Sequence, residues 1–469
     1  MEDTRAIRRW RYSGERVGRP GAVVLTGEGD SSLVGSRTVG RRPALPGQRL
    51  ALHRALLSAK GREASPGQPP GQKADFTMAV GYQLAYARRA TFTAFALMGA
   101  VSAVWVVRIP ALRETMKLSE AQIGIEVLAW GMGALVAMQA SRRLFARLGT
   151  RCILRVALPG AVTGLLLLAF APSYPFLLAG GFIFGILFGL VDVAANAQAA
   201  QLEQASGRPL MGMMHAGWSL GAVAGGVAGA ATASLGMGFT ASVASVSLLA
   251  LPGALAVTSH FLPDQDSSDY TDFMPDRLPR TVLLLGALMF CAFLAEGAVA
   301  DWSSLHLHDG FGASEAVAAL AYPVFELAML TVRLGCDRIT RRFGGRALLA
   351  VAGLAAALGF AVVIFSRSVI FVFGGLSLVG GAISVVVPLT FSLAGLAGGQ
   401  QSSAAVARAG TLGYTGLLLG PVAIGFLAEH SSVRAGFGVV LAACALIAAG
   451  AWALPDLRVG GTSGVPLPP

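Results

Sequence analysis

The chain has 469 residues, of which 54% are hydrophobic and only 13% charged, with a mean hydropathy of +0.65 and a formal net charge of +11. This balance excludes an ordinary water-soluble domain and points to a membrane protein. Four cysteines without paired spacing, Cys152, Cys291, Cys336 and Cys444, indicate neither a zinc site nor a disulfide framework.

Residues 1–77 do not share the apolar character. They hold 14 of the 36 Lys and Arg against 7 acids, with scattered Gly, Pro and Ser and no apolar period. That is the composition of a disordered basic leader. It has no apolar core of a signal peptide. Its charge would suit anionic lipid or nucleic acid, but a passive leader with Met78 as the natural start is the simpler reading. No nucleic-acid partner is expected.

From Arg88 onward, apolar runs of about 20 residues alternate with short polar breaks, the length that crosses a hydrocarbon core of about 30 Å. Twelve are expected, at 90–111, 119–141, 152–171, 175–198, 210–233, 237–258, 281–303, 314–335, 347–366, 369–393, 403–427 and 434–454. Short loops rich in Lys and Arg stay cytoplasmic. Placing the start of span 1 inside puts 17 Lys and Arg on that side, without counting the leader, and 5 on the other: Arg108, Arg113, Lys117, Arg367 and Arg434. Both termini are therefore expected on the cytoplasmic side of the membrane.

A duplication organises these spans. The segment after span 2, SRRLFARLGTR, recurs after span 8 as CDRITRRFGGR, with Arg143, Arg147, Gly149 and Arg151 each 195 residues before Arg338, Arg342, Gly344 and Arg346. Two further anchors share the offset: Ser119-Glu120-Ala121 with Ser314-Glu315-Ala316, and Gly221/Gly225 with Gly416/Gly420. Two six-helix bundles in parallel repeat follow, with a solute site near mid-membrane where they meet. The expected organisation is a leader at 1–77, bundles at 78–259 and 281–458, an acid-rich cytoplasmic linker at 260–280, and a disordered tail at 459–469. The linker is too polar to span and too short to be a domain.

The two arginine segments resemble the signature of the major facilitator superfamily, in which a glycine, an acid and several arginines follow spans 2 and 8. The second copy matches better, with Gly335, Asp337, Arg338, Arg342, Gly344 and Arg346; the first has Ala140 and Arg142 in place of the glycine and the acid. The resemblance covers residues 80–458. Within it GLVDVAANAQ, HAGWSLG and EGAVADWS are similar to a bacterial branch near the fucose permeases. It implies an all-α fold of twelve transmembrane helices, a monomer, and a cavity lined by spans 1, 4, 7 and 10 within an outer scaffold of spans 3, 6, 9 and 12. It also implies that the loop arginines and Asp337 lock the bundles when they close toward the cytoplasm. From the residues alone, the same loops serve to fix topology.

Ionisable side chains inside spans are expensive and mark function. Here they are Glu126, Asp192, His215, Glu296, Asp301 and Glu326, with Arg108 near the outer end of span 1. Counting about 1.5 Å per residue puts Glu296 and Glu326 at mid-depth. Carboxyls there can exchange protons as a chamber faces each side in turn, so Asp192, Glu296 and Glu326 are the proton-coupling candidates. Asp192 also resembles in position the span 4 acid of fucose-permease-like symporters. Arg108, Glu126 and Asp301 are read as ion-pairing at the outer mouth.

Asn196, one helical turn from Asp192, Gln198, His215, Trp130 and Trp218 are the candidate cavity residues. The tryptophans suit a sugar or an aromatic solute. His306-Leu307-His308-Asp309 is too short a run to make a metal site on its own. No phosphate-binding loop and no clustered nucleophile, base and acid are present, so neither ATP, a cofactor nor an enzymatic reaction is expected.

The function expected is a proton-coupled permease moving a small solute, a sugar or related metabolite, by alternating access. The alternatives are drug or metabolite efflux by proton antiport and, from another class, a membrane receptor or scaffold that transports nothing.

Overall fold

Why the chain turns where it does is visible in its caps and glycines. In a computed structural model, which describes residues 70–206, 210–263, 279–398 and 402–455, the first helices are α1 (Pro70–Val107) and the short α2 (Ile109–Met116), ended by Lys117 in a left-handed conformation with φ 54°. The next, α3 (Glu120–Leu168), opens on a capping box. Ser119 Oγ accepts from the Gln122 amide at 3.3 Å, and Gln122 Oε1 accepts from the Ser119 amide at 2.9 Å.

Two crossings run through α3, broken at Gly149 with φ 76° and ψ 157°, a combination essentially confined to glycine. Then come α4 (Tyr174–Ser206), α5 (Met211–Ser234) and α6 (Phe239–Val257). The second half repeats the scheme with α7 (Arg280–Phe311), α8 (Glu315–Ala318), α9 (Ala321–Arg333), α10 (Cys336–Phe343), α11 (Gly345–Phe365), α12 (Val369–Ile383), α13 (Val386–Gly398), α14 (Ser402–His430) and α15 (Val433–Trp452). Gly344, between α10 and α11, has φ 77° and ψ 155°, so the duplicated loops share a backbone conformation as well as arginines.

Among the described residues, eleven segments are long and apolar enough to cross a bilayer. The twelfth crossing is α5, with 24 residues but so rich in glycine that its hydropathy stays modest. The glycines are spent on close contact. Gly221 and Gly225 lie on the backbone of Ala96 and Ala100 in α1, and their counterpart Gly416 lies on Phe290 in α7. Gly185 of α4 presses on the Trp130 carbonyl, as Gly380 of α12 presses on that of Phe325, again 195 residues apart. A Cβ at any of these positions would strike a backbone oxygen. Small residues of this kind let membrane helices approach closely.

The halves meet along two seams, α3 with α14, where Gly124 faces Pro421 and Gly425, and α5 with α9, where Gly226 faces Pro323. On the face carrying the arginine loops, Arg151 and Arg155 donate to the carbonyls of Ser259 (3.1 Å) and Thr258 (3.0 Å) at the end of α6. Arg346 similarly donates to the Trp452 carbonyl (2.6 Å) and stacks on its indole at 5.3 Å. Cations at helix C-termini satisfy orphan carbonyls and the helix dipole. The leader to residue 69, most of the linker and the tail lie outside the described residues.

Candidate functional site

Polar side chains of both halves converge at the seams. On the face opposite the arginine loops, Arg108, at the end of α1, lies 2.5 Å from Glu315 of α8 and donates to the Met237 carbonyl at 2.6 Å. The guanidinium is 1% exposed and the Glu315 carboxylate 30%, so water and salt reach this contact from the glutamate's side only. Arg113 of α2 pairs with Asp309 of α7 and with Glu120 at 2.8 Å. The Ala121 amide donates to Glu429 of α14 at 3.1 Å, and Ser304 Oγ to the Val106 carbonyl at 3.3 Å. His308 adds contacts to Asp309 at 2.9 Å and Glu114 at 3.7 Å. The two halves are thus fastened to each other at this face.

Arg108 therefore reaches Glu315, not the expected Glu126 and Asp301. Those two carboxyls sit deeper, buried and within each other's field. Glu126 Oε1 points at Gly181 of α4, where only a missing side chain leaves it room, and has no hydrogen-bond partner among the described residues. The reason is reach: Arg108 follows the last full turn of α1, at the level where α8 begins.

Deeper along the second seam, α9 directs Tyr322, Glu326 and Arg333 to one side. Their spacing, four and then seven residues, keeps them on one helical face. Glu326 is fully buried, with the Tyr322 hydroxyl of its own helix beside its carboxyl group. Arg333 donates to Ser219 Oγ of α5 at 3.2 Å, across the seam, and lies in the field of both His215 and Glu296. Glu296 of α7 feels Glu326 as well. His215 sits against Phe95 (5.4 Å) and beside Arg333, near the start of α5.

Across from this group, Asp192 of α4 borders a narrow cleft with Phe95, Met98, Phe188 and Trp218. Asn196 donates to its carboxylate at 3.1 Å and to its carbonyl at 2.9 Å. Trp130 and Trp218 belong to one aromatic cluster: Trp130 lies 4.9 Å from Phe184 and 5.4 Å from Phe188, and Trp218 lies 5.8 Å from Phe188. Tyr414 of α14, stacked on Phe293 at 4.9 Å, faces Asp192 from the other half.

Gln198 is a correction. It was expected in the cavity, but it is fully buried and donates to Thr150 (2.9 Å) and to the Leu262 carbonyl (3.1 Å), while accepting from the Leu262 amide (2.8 Å). With its amide so engaged it ties the end of α4 to the loop after α6. Among the loop residues, Arg151 and Arg346 hold their own halves, Arg143 and Arg147 are exposed, Arg342 lies over Phe343 at 5.5 Å, and Gly335 caps α10. The side chains of Asp337 and Arg338 lie outside the described residues.

Residues that sequence reasoning passed over are Arg333, Ser219, Tyr322, Tyr414 and Glu315. By position Arg333 is one of the 17 Lys and Arg expected inside, and its place two helical turns after Glu326 is the signal the sequence carries.

Twelve crossings in two repeated halves, joined at one face and lined with carboxyls between them, define a membrane transporter built on an internal duplication. Residues 90–407 match the model of the Major Facilitator Superfamily, and the chain belongs to that family. It is similar to an uncharacterised MFS-type transporter of Yersinia pestis, 34% identical over 78% of this chain and 94% of that protein. An uncharacterised transporter of Sinorhizobium fredii is 32% identical over 77% and 96%, and the membrane protein MosC of Rhizobium meliloti is 28% identical over 77% and 85%. Among solved structures, a mutant of the nucleoside transporter NupG matches with TM-score 0.64 at 11% identity, covering 78% of this chain and 99% of that one. A bacterial homologue of the human lysosomal transporter Spinster, in an inward-facing, occupied conformation, matches with TM-score 0.61 at 16% identity over 79% and 96%. At those identities the structures establish the fold.

Proposed function

We propose that the protein moves a small polar solute across the bacterial cytoplasmic membrane by alternating access, driven by protons, with the arginine loops and both termini in the cytoplasm. The units are those expected from sequence, bundles 78–259 and 281–458 with the linker 260–280 between them, working as a monomer. The observation that carries this reading is the group Glu296, Glu326 and Arg333 beside Ser219, where acids from two helices of one half and a hydroxyl of the other share a seam. Buried carboxyls are costly in a bilayer and are kept where charge is taken up and released. Asp192, across the chamber, is the third coupling candidate.

The transport cycle then needs a chamber that opens alternately. The fastened face, through Arg108–Glu315 and Arg113–Asp309, supports a state open only toward the arginine loops. Release of those pairs opens the other side, while Asp337 and the loop arginines act as the fastening at the cytoplasmic face. Bistable seams of this kind convert small local changes into domain rocking.

Counterflow in proteoliposomes, with and without an imposed pH gradient, tests the reading. Accumulation that rises with the gradient and is lost in Glu296→Gln is expected. Solute movement that ignores the gradient in both proteins would remove the proton coupling.

A further inference from the structure

We infer that the cleft bordered by Asp192 and Trp218 recognises a protonated primary amine on the solute, an inference that rests on the transporter reading above. The carboxylate of Asp192 accepts one described hydrogen bond, from the amide of Asn196 on its own helix. A carboxylate has about four acceptor sites, so capacity is left over. Among the described residues no cationic side chain interacts with it; the guanidinium in the chamber, Arg333, is bonded to Ser219 and lies by Glu296 and His215.

The rest of the cleft is aromatic and soft. Phe95, Phe188 and Trp218, with Met98, surround the carboxylate's side of the cavity. Ring faces attract a desolvated cation through their quadrupole, and a carboxylate at the rim neutralises its charge. A neutral sugar could stack on Trp218, but it would bring no charge to match the carboxylate. An anion would meet Asp192, Glu296 and Glu326 against one arginine that is already engaged. The cleft has room for about one water-sized group, about 10 Å³, so it takes a primary ammonium head and no bulkier cation, while the remainder of the solute lies toward Tyr414.

Matched ring compounds separate these cases. Purified protein is titrated with glucosamine, glucose and glucuronate, and with protonated benzylamine, following tryptophan fluorescence and the thermal unfolding midpoint. The expected result is binding of the two cations with quenching, and a preference for glucosamine over glucose of at least about tenfold, the effect of one well-placed charge contact. Asp192→Asn should remove that preference, and Trp218→Leu should weaken the cations about fivefold while abolishing most of the quenching. Should Asp192→Asn fail to fold, Trp218→Leu and Asp192→Glu carry the test, the latter keeping the charge preference.

Equal or stronger binding of glucose or glucuronate overturns the inference, as does failure of both cations to bind, or a preference that survives Asp192→Asn. Counterflow of a neutral or anionic solute in the same preparation would then leave the transporter reading standing. A failure of both would remove both.

Discussion

Arg108 Nη1 lies 2.5 Å from Glu315 Oε2, linking the end of the first crossing to the start of the eighth. The arginine is 1% exposed and the glutamate 30%, so the pair is sheltered on one side only. Breaking a buried pair by removing one partner leaves an uncompensated charge and costs about 3–5 kcal/mol. Glu315→Gln should therefore loosen this face strongly, seen as a longer spin-label distance between positions 116 and 313. An unchanged distance would show that the pair fastens nothing.

Arg113 and Asp309 offer a contrast. Both are about a third exposed, and exposed pairs are worth roughly 0–1 kcal/mol. Asp309→Asn is expected to shift the same distance distribution only slightly, and the shift should shrink further in high salt. An effect equal to that of Glu315→Gln would contradict the ranking by burial.

Arg333 bridges the halves through Ser219 and lies beside Glu296. Arg333→Gln keeps polarity while deleting the charge. Counterflow should fall at least about tenfold, a change of roughly 1.4 kcal/mol, and Arg333→Lys should restore part of it. Ser219→Ala should lower it less, since it removes one neutral acceptor. Full activity in Arg333→Gln would take the residue out of the transport cycle.

The backbones of Gly149 and Gly344, at φ 76° and 77° with ψ near 155°, lie where other residues are strained. Substituting alanine at either should cost about 1–3 kcal/mol, measured as a lower unfolding midpoint in detergent. The two penalties should be alike because the conformations are. At Gly221 and Gly416, alanine meets the carbonyls of Ala96 and Phe290; overpacking of about 1–3 kcal/mol is expected there too.

Much of the architecture was legible in the order of residues because a membrane imposes a period and a length. The offset of 195 found Gly149 and Gly344, and the caps at Ser119 and Ser314 follow it into the structure. What was not legible depends on three-dimensional neighbours. Gln198 looks like a chamber residue on a helical wheel, but the loop after α6 folds over it. Glu126 and Arg108 looked complementary by depth, yet the start of α8 stands nearer to the arginine. Arg333 looked like a topology signal because a positive charge near a helix end usually is one; only the approach of α5 gives it Ser219.

The poverty of α5 in bulky apolar residues has a bearing on biogenesis. A segment that buries its glycines on α1 gives the insertion machinery little oil to recognise when it emerges alone. Its entry into lipid should depend on an already inserted first helix, so that enlarging Ala96 or Ala100 would strand the fifth helix outside the bilayer during synthesis, before any transport step is reached.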